Sequence, residues 1–220
     1  MVPRMNQPSP QHLTLEDVRR ALALADFDVE AAWGRMFPQP PRDLHHSLYQ
    51  EGTGRPASVL VLLYPVEGDW WFVLTRRSEA LPNHKGQISL PGGAREPGET
   101  LLQTAIRETC EEVGICADEV HLIGTLTPLY VAVSDFEIHP FVGYLDKRPR
   151  FSANPVEVAG LIEMPLDRLV DDSIKTTERW QFGDVERDVP FYRYDGQVIW
   201  GATAIMLSEL EGRLRAALGE

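Results

Sequence analysis

Glu108, Glu111 and Glu112 crowd together beside Arg107, downstream of a glycine-rich run that begins at Gly92 and Gly93. On a helix, residues three and four apart are neighbours, so these carboxylates share one face. Like charges at that spacing repel, by roughly a few tenths of a kcal/mol per exposed pair and by more where the face is covered. A hard divalent cation reverses the sign of this interaction, because oxygen sites for magnesium or manganese combine a few carboxylates with water and substrate phosphate. The plainer alternative for three such glutamates is a solvated acidic helix face.

The elements around this face follow from pattern. A helix is predicted from about Thr100. Upstream, Ala57 to Pro65 is a continuous aliphatic run, as expected of a strand buried on both faces, and a turn at Glu67–Asp69 leads to the aromatic and β-branched WWFVLTR. Together they predict a hairpin that delivers Thr75, Arg76 and Arg77 to its far end. Adjacent arginines on a strand point to opposite faces, so one of the two is free to meet a substrate. QISL reads as a short strand before the glycines. Downstream, strands are predicted at Val120–Thr127, Phe136–Leu145 and Val156–Met164, a helical turn at Pro165–Val170, and a strand pair from Arg179 to about Trp200. A final helix from about Ala202 to Leu218 carries Ile205, Leu210, Leu214 and Leu218 at helical intervals.

At the other end, residues 1 to 12 read as a polar tail. Thr14 and Asp17 form a capping-box pattern, and Asp28 caps a second short helix with Val29, Ala32, Trp33 and Met36 on one face, ended by Pro38, Pro40 and Pro41. Residues 1–54 are therefore read as a helical extension that packs on a main domain of residues 55–220, a homodimer contact being the alternative.

The net charge of −12 over 220 residues argues against sequence-independent nucleic-acid binding. A polyphosphate small molecule remains compatible where cations and a local basic patch offset the field. No apolar run reaches the length of a membrane span and no signal-peptide pattern opens the chain, so a cytoplasmic location is expected. Cys110 and Cys116 are the two cysteines; their number and spacing suggest neither a disulfide framework nor a zinc site, and reduced thiols are the expectation.

The stretch from Gly93 to Ile115 resembles the Nudix hydrolase box, G-x5-E-x7-R-E-U-x-E-E-x-G-U. Gly93, Glu99, Arg107, Glu108, Glu111, Glu112, Gly114 and Ile115 fall on its positions, and Thr109 departs where an aliphatic is usual. The resemblance implies an α/β Nudix fold, with mixed β-sheets sandwiched between α-helices, and pyrophosphate hydrolysis dependent on Mg2+ or Mn2+. It makes Glu108 and Glu112 the principal metal ligands with the Gly93 carbonyl, and Glu111 a further ligand or the base that activates water. Glu99 and Arg107 would pair to pin loop to helix; the alternative is a surface ion pair of about 0–1 kcal/mol. Glu157 is a supplementary base or ligand, or simply an exposed residue at a strand start.

The preceding segment is similar to the signature of the coenzyme A pyrophosphatase branch, L-L-T-x-R-S-x3-R-x3-G-x3-F-P-G-G. Leu74, Thr75, Arg77, Ser78, Gly86, Pro91, Gly92 and Gly93 fit, while Val73, Pro82 and Leu90 stand where Leu, Arg and Phe are usual. This implies cleavage of coenzyme A or acyl-coenzyme A, with Arg77 on the substrate and His84 and Lys85 supplying charge in place of the Arg missing at Pro82. Two other readings fit: the same chemistry on ADP-ribose, another nucleoside diphosphate derivative or a (d)NTP, and a nucleotide-binding module without turnover. No ligand role is assigned to Trp70, Trp71, Tyr130 or Phe136.

Overall fold

The computed structural model of the chain describes residues 12–40, 54–80 and 85–220. Residues 1–11 of the expected tail, together with Pro41, Pro82 and His84, lie outside the described residues. Helix α1 (Leu15–Leu22) starts at the Thr14–Asp17 capping box: the Thr14 hydroxyl accepts from the Asp17 N–H at 3.2 Å, and the Asp17 carboxylate accepts from the Thr14 N–H at 2.8 Å. Asp28 caps α2 (Val29–Gly34) by accepting from the Ala31 N–H at 2.9 Å. Both caps satisfy amide donors that a helix start leaves unpaired.

The strands are β1 (Arg55–Val66), β2 (Asp69–Arg77), β3 (Ile88–Ser89), β4 (Gly92–Ala94), β5 (His121–Thr125), β6 (Leu129–Val131), β7 (Phe136–Tyr144), β8 (Val158–Pro165), β9 (Lys175–Phe182), β10 (Val185–Tyr194) and β11 (Gln197–Ile199). Helix α3 (Leu101–Val113) lies between β4 and β5, and α4 (Gly201–Leu218) follows β11. β1 is the centre of a mixed sheet, parallel to β7 and antiparallel to β2 and β4. β9, β10 and β11 form a separate antiparallel sheet.

The aliphatic run of β1 is buried on both faces. Val59, Val61 and Leu63 join an apolar cluster with α4 and Trp33, whereas Leu60, Leu62 and Tyr64 join another with Ala105 and Val113 of α3. A strand with two apolar faces requires a layer on each. Helix α3 packs on one, and α4, with α1 and α2 packed against it, shares the apolar cluster on the other.

Some details depart from expectation. The glycine run is partly a strand, because Gly92 (φ +156°) fits tightly against β1: a Cβ there would stand 2.3 Å from the Ser58 carbonyl oxygen. Such a backbone is open to glycine alone. The loop before β7 contains β6. The thiols are not reduced: Cys110 and Cys116 form a disulfide, their Cα atoms 4.5 Å apart. They are six positions apart in sequence, and the left-handed turn at Gly114 (φ +79°), which caps α3, folds Cys116 back beside the helix.

α4 also carries more than its apolar face. Glu209 and Glu211 are fully buried. Glu209 accepts from Trp33 Nε1 (3.2 Å), Thr127 Oγ1 (2.9 Å) and Arg213 Nε (2.8 Å), tying α2 to the β5–β6 loop. Glu211 accepts from Lys175 Nζ, Tyr192 Oη (2.7 Å) and Arg215 Nε (2.8 Å), tying down β9 and β10. Among the described residues no helix is long and apolar enough to cross a membrane.

Candidate metal centre and adjoining cavity

Helix α3 begins with its own capping box. Thr100 Oγ1 accepts from the Gln103 N–H at 3.2 Å, and Gln103 Oε1 accepts from the Thr100 N–H at 2.8 Å. Immediately before it, Glu99 meets Arg107, two turns into the helix. Arg107 Nε donates to Glu99 Oε1 at 2.7 Å and Nη2 to Oε2 at 3.2 Å; Nη2 also donates to the Ala94 carbonyl at 3.1 Å. Through Nη1, Arg107 reaches Glu108 and Glu111, each at 2.9 Å. One guanidinium thus joins the end of β4, the start of α3 and two members of the acidic face. Glu99 further accepts from Thr104 Oγ1 (2.9 Å) and the Glu96 N–H (3.0 Å). These bonds, Arg107's above all, hold its carboxyl down at about 2.

The carboxylates of Glu108, Glu112 and Glu157 converge, with one oxygen from each lying within 4.8 Å of the others. They are short of donors. Glu112 is 2% exposed, and among the described residues its carboxylate accepts only the long 3.4 Å bond from the Gly92 N–H. Burial, with the Glu108 charge second, pushes Glu112 up to about 8. Burial also raises Glu108, opposed by Arg107. Gly93 makes the approach possible: a Cβ at that position would stand 2.5 Å from the Glu108 carboxylate.

Glu157 arrives through the end of α3. Carbonyls in the last turn of a helix lack intrahelical partners. Here the Glu112 carbonyl accepts from the Asn154 N–H (3.0 Å) and the Val113 carbonyl from the Ser152 N–H (2.9 Å). A Cβ on Gly114 would meet the Ser152 side chain at 2.9 Å, so the glycine that ends α3 also lets this loop dock. Glu157 follows three residues later, its carbonyl accepting from the Ser78 N–H at 2.7 Å. Glu111 stands outside the trio, its side chain 52% exposed and directed to Arg107. The Thr109 departure is buried and satisfied, its hydroxyl donating to the Ala105 carbonyl at 2.7 Å.

On the other side of Gly93 lies a cavity of about 710 Å³. Gly92, Gly93 and Ala94 form its border with the acidic trio, Arg77 enters it from β2, and Phe37, Trp200 and Met206 wall it. A register shift in the β2–β8 ladder falls between Arg76 and Arg77. Arg76 is exposed, with Nη2 at 3.5 Å from the Ala159 carbonyl, while Arg77 keeps a buried Nε without a partner among the described residues. Lys85 is exposed and does not line the cavity. Tyr130 and Phe136 contribute to the wall, Trp71 packs in the α3-side core, and Trp70 meets Tyr144 edge-on. The contribution of the N-terminal extension, Phe37 and Pro38, was not legible: a proline cluster marks where a helix ends, not which cavity its exit segment borders.

Residues 54–182 match the NUDIX domain family. The chain belongs to that family, and so is a Nudix hydrolase. It is 37% identical over 179 residues to the uncharacterized Nudix hydrolase NudL of Yersinia pestis (strain Pestoides F), covering 79% of this chain and 86% of that protein. The same figures hold for the NudL protein of Yersinia pseudotuberculosis serotype O:1b (strain IP 31758). The crystal structure of the Nudix hydrolase RenU from M. smegmatis superposes with a TM-score of 0.50 at 18% identity, over 75% of this chain and 86% of that one, a likeness of fold.

Proposed function

We propose that the chain hydrolyses the pyrophosphate linkage of coenzyme A or acyl-coenzyme A, yielding 3′,5′-ADP and (acyl-)4′-phosphopantetheine. The observation that carries this reading is the position of Arg77. The signature arginine of the Leu74–Gly93 segment lines the cavity that borders Gly93, while its neighbour Ser78 bonds the backbone of Glu157.

The donor set fits Mg2+ or Mn2+. Three carboxylates gathered with few hydrogen-bond donors, one of them deeply buried, form a site that a hard divalent cation stabilises. Glu108, Glu112 and Glu157 would hold the ion, with the Gly93 carbonyl a further ligand. Such an ion supplies Lewis-acid neutralisation of pyrophosphate charge. The remaining work falls to the chain. Arg77 orients the pyrophosphate, Arg107 and Glu99 fix the helix to its loop, and Glu111 takes the proton of the attacking water. The water oxygen forms the new bond to one phosphorus, the bridging P–O bond breaks, and the other phosphate leaves with its electron pair.

Pro82, in place of the signature Arg, favours a second reading with the same chemistry on ADP-ribose or another nucleoside diphosphate derivative. The test is to offer the purified chain, with Mg2+ or Mn2+, coenzyme A, ADP-ribose, NADH and dinucleoside polyphosphates. Coenzyme A is expected to give the highest kcat/KM. ADP-ribose turnover far above coenzyme A overturns the substrate, and binding without hydrolysis of any of them overturns the reaction.

A further inference from the structure

The cavity beside Gly93 has an electrostatic feature that the catalytic reading does not use. Among the described residues its only charged lining side chains are Arg77 and Arg187, in a chain of net charge −12. Among the described residues neither forms an ion pair with a carboxylate, and each keeps a buried Nε without a hydrogen-bond partner. The two arginines stand on different sheets, Arg77 on β2 and Arg187 on β10. Arg187 also lies beyond residues 54–182, the part of the chain that matches the family.

The surroundings of Arg187 keep its charge available. Its sequence neighbours Glu186 and Asp188 alternate to the opposite face of β10. There Arg179 takes both, at 3.7 Å and 3.0 Å. Opposite Arg187 in the ladder is Trp180, an uncharged partner. Arg187 is nonetheless positioned, because its Nη1 donates to the Pro40 carbonyl of the N-terminal extension and the adjacent Gln39 pairs by backbone with Asp188. A guanidinium offers five donors in a fixed fork that matches phosphate oxygens. Leaving a buried donor unpaired is unfavourable. Arg187 lines the cavity, so a ligand phosphate entering it meets the guanidinium.

We propose that Arg187 is a specificity residue that binds a phosphomonoester on the nucleotide part of the substrate, separate from the pyrophosphate that Arg77 meets. The proposal rests on the coenzyme A reading and deepens it. The 3′-phosphate is the group that coenzyme A has and ADP-ribose lacks, and it stays on the 3′,5′-ADP product. A site built to bond a particular group rejects an analogue without it more strongly than an apolar pocket rejects a change of shape. The proposal also gives the N-terminal extension a task, since Pro40 steadies the arginine.

The test is calorimetric binding of 3′,5′-ADP and of AMP to the full chain. Wild type is expected to bind 3′,5′-ADP at least about tenfold more tightly, and Arg187→Gln to bring that ratio below about threefold. Arg187→Lys, which keeps the charge and loses the fork, should lower the ratio at least about threefold and serves if the Gln variant does not fold. Equal affinity of wild type for the two nucleotides overturns the proposal, as does an unchanged ratio in a folded variant. Turnover is assayed separately. A chain that prefers ADP-ribose as substrate yet binds 3′,5′-ADP over AMP loses the coenzyme A reading and keeps the second anion site. One that hydrolyses coenzyme A yet binds both nucleotides equally keeps the reading and loses the site.

Discussion

Helices α3 and α4 both bury glutamates, and they treat them in opposite ways. On α4, Glu211 is fully buried and meets Lys175, Tyr192 and Arg215, while Glu209 meets Trp33, Thr127 and Arg213. On α3, Glu112 is nearly as buried, yet has one long bond from an amide and the carboxylates of Glu108 and Glu157 for neighbours. A buried charge is tolerated when paired and hydrogen-bonded, and is otherwise expensive. The α4 acids are therefore structural fasteners. The α3 acids have no such set of partners among the described residues, which is the arrangement expected of the proposed cation site.

Breaking the α4 side gives the largest expected effect. Glu211→Ala removes the buried carboxylate shared by Lys175, Arg215 and the Tyr192 hydroxyl, leaving the two cations with Asp172 at the surface, and is expected to cost about 3 kcal/mol of stability, the low end for breaking a buried pair. Urea unfolding followed by circular dichroism measures this. A loss under about 1 kcal/mol would mean that the three donors find water and that Glu211 is not a fastener.

Breaking the α3 side should have the opposite signature. Glu112→Gln removes a carboxylate that is poorly paired, so stability without metal is expected to hold or rise. kcat is expected to fall at least about a hundredfold, in the range for losing a metal ligand or general base. Mg2+ should raise the melting temperature of wild type and leave that of the variant almost unmoved, since only a ligand that binds the folded state stabilises it. A variant that loses stability as Glu211→Ala does would place Glu112 with the fasteners and erase the contrast between the helices.

The contrast also explains what could be read in the sequence. Glu108, Glu111 and Glu112 share a helix, so helical spacing places them on one face, and the offsets to Gly93 and Glu99 lie within a single local segment. β1 was legible for a similar reason, its unbroken aliphatic run leaving little choice but two covered faces. Glu157 was harder, since its arrival depends on the last carbonyls of α3 capturing the backbone at Ser152 and Asn154. Spacing separates Glu111 from Glu112 no better: which one turns inward depends on the reach of Arg107 and the path of β4. Glu209, Glu211 and Arg187 were not legible as sites, because their partners come from distant elements and their own segments show ordinary amphipathic or alternating patterns. The disulfide was missed because a pair six residues apart becomes a contact only after Gly114 reverses the chain.

Glu99 sharpens the comparison with the smallest effect. It borders the candidate metal centre, yet it is supplied with donors in the manner of the α4 acids, accepting from Arg107, Thr104 and Glu96. It should therefore act as a positioning residue. Glu99→Gln keeps the shape and loses the charge that orients Arg107, and kcat is expected to fall about tenfold, less than for Glu112→Gln. A surface ion pair without consequence predicts no fall. The pH dependence separates the two further. The folded-state carboxyl is held at about 2 against an ordinary value of 4.5, so its stabilisation is fully present above 4.5 and is lost as pH falls through about 2. The melting-temperature gap between wild type and Glu99→Gln should be constant at neutral pH, begin to close below about 4.5, and be gone near 2. Taking the difference between the two proteins cancels the other carboxylates that titrate in that window, such as Asp17, Asp171 and Asp172, whose carboxyls are also lowered in the fold. A gap that does not change across this range would mean that Glu99 gains nothing from its charge, and that the loop is fixed to α3 by Arg107 and the Ala94 carbonyl alone.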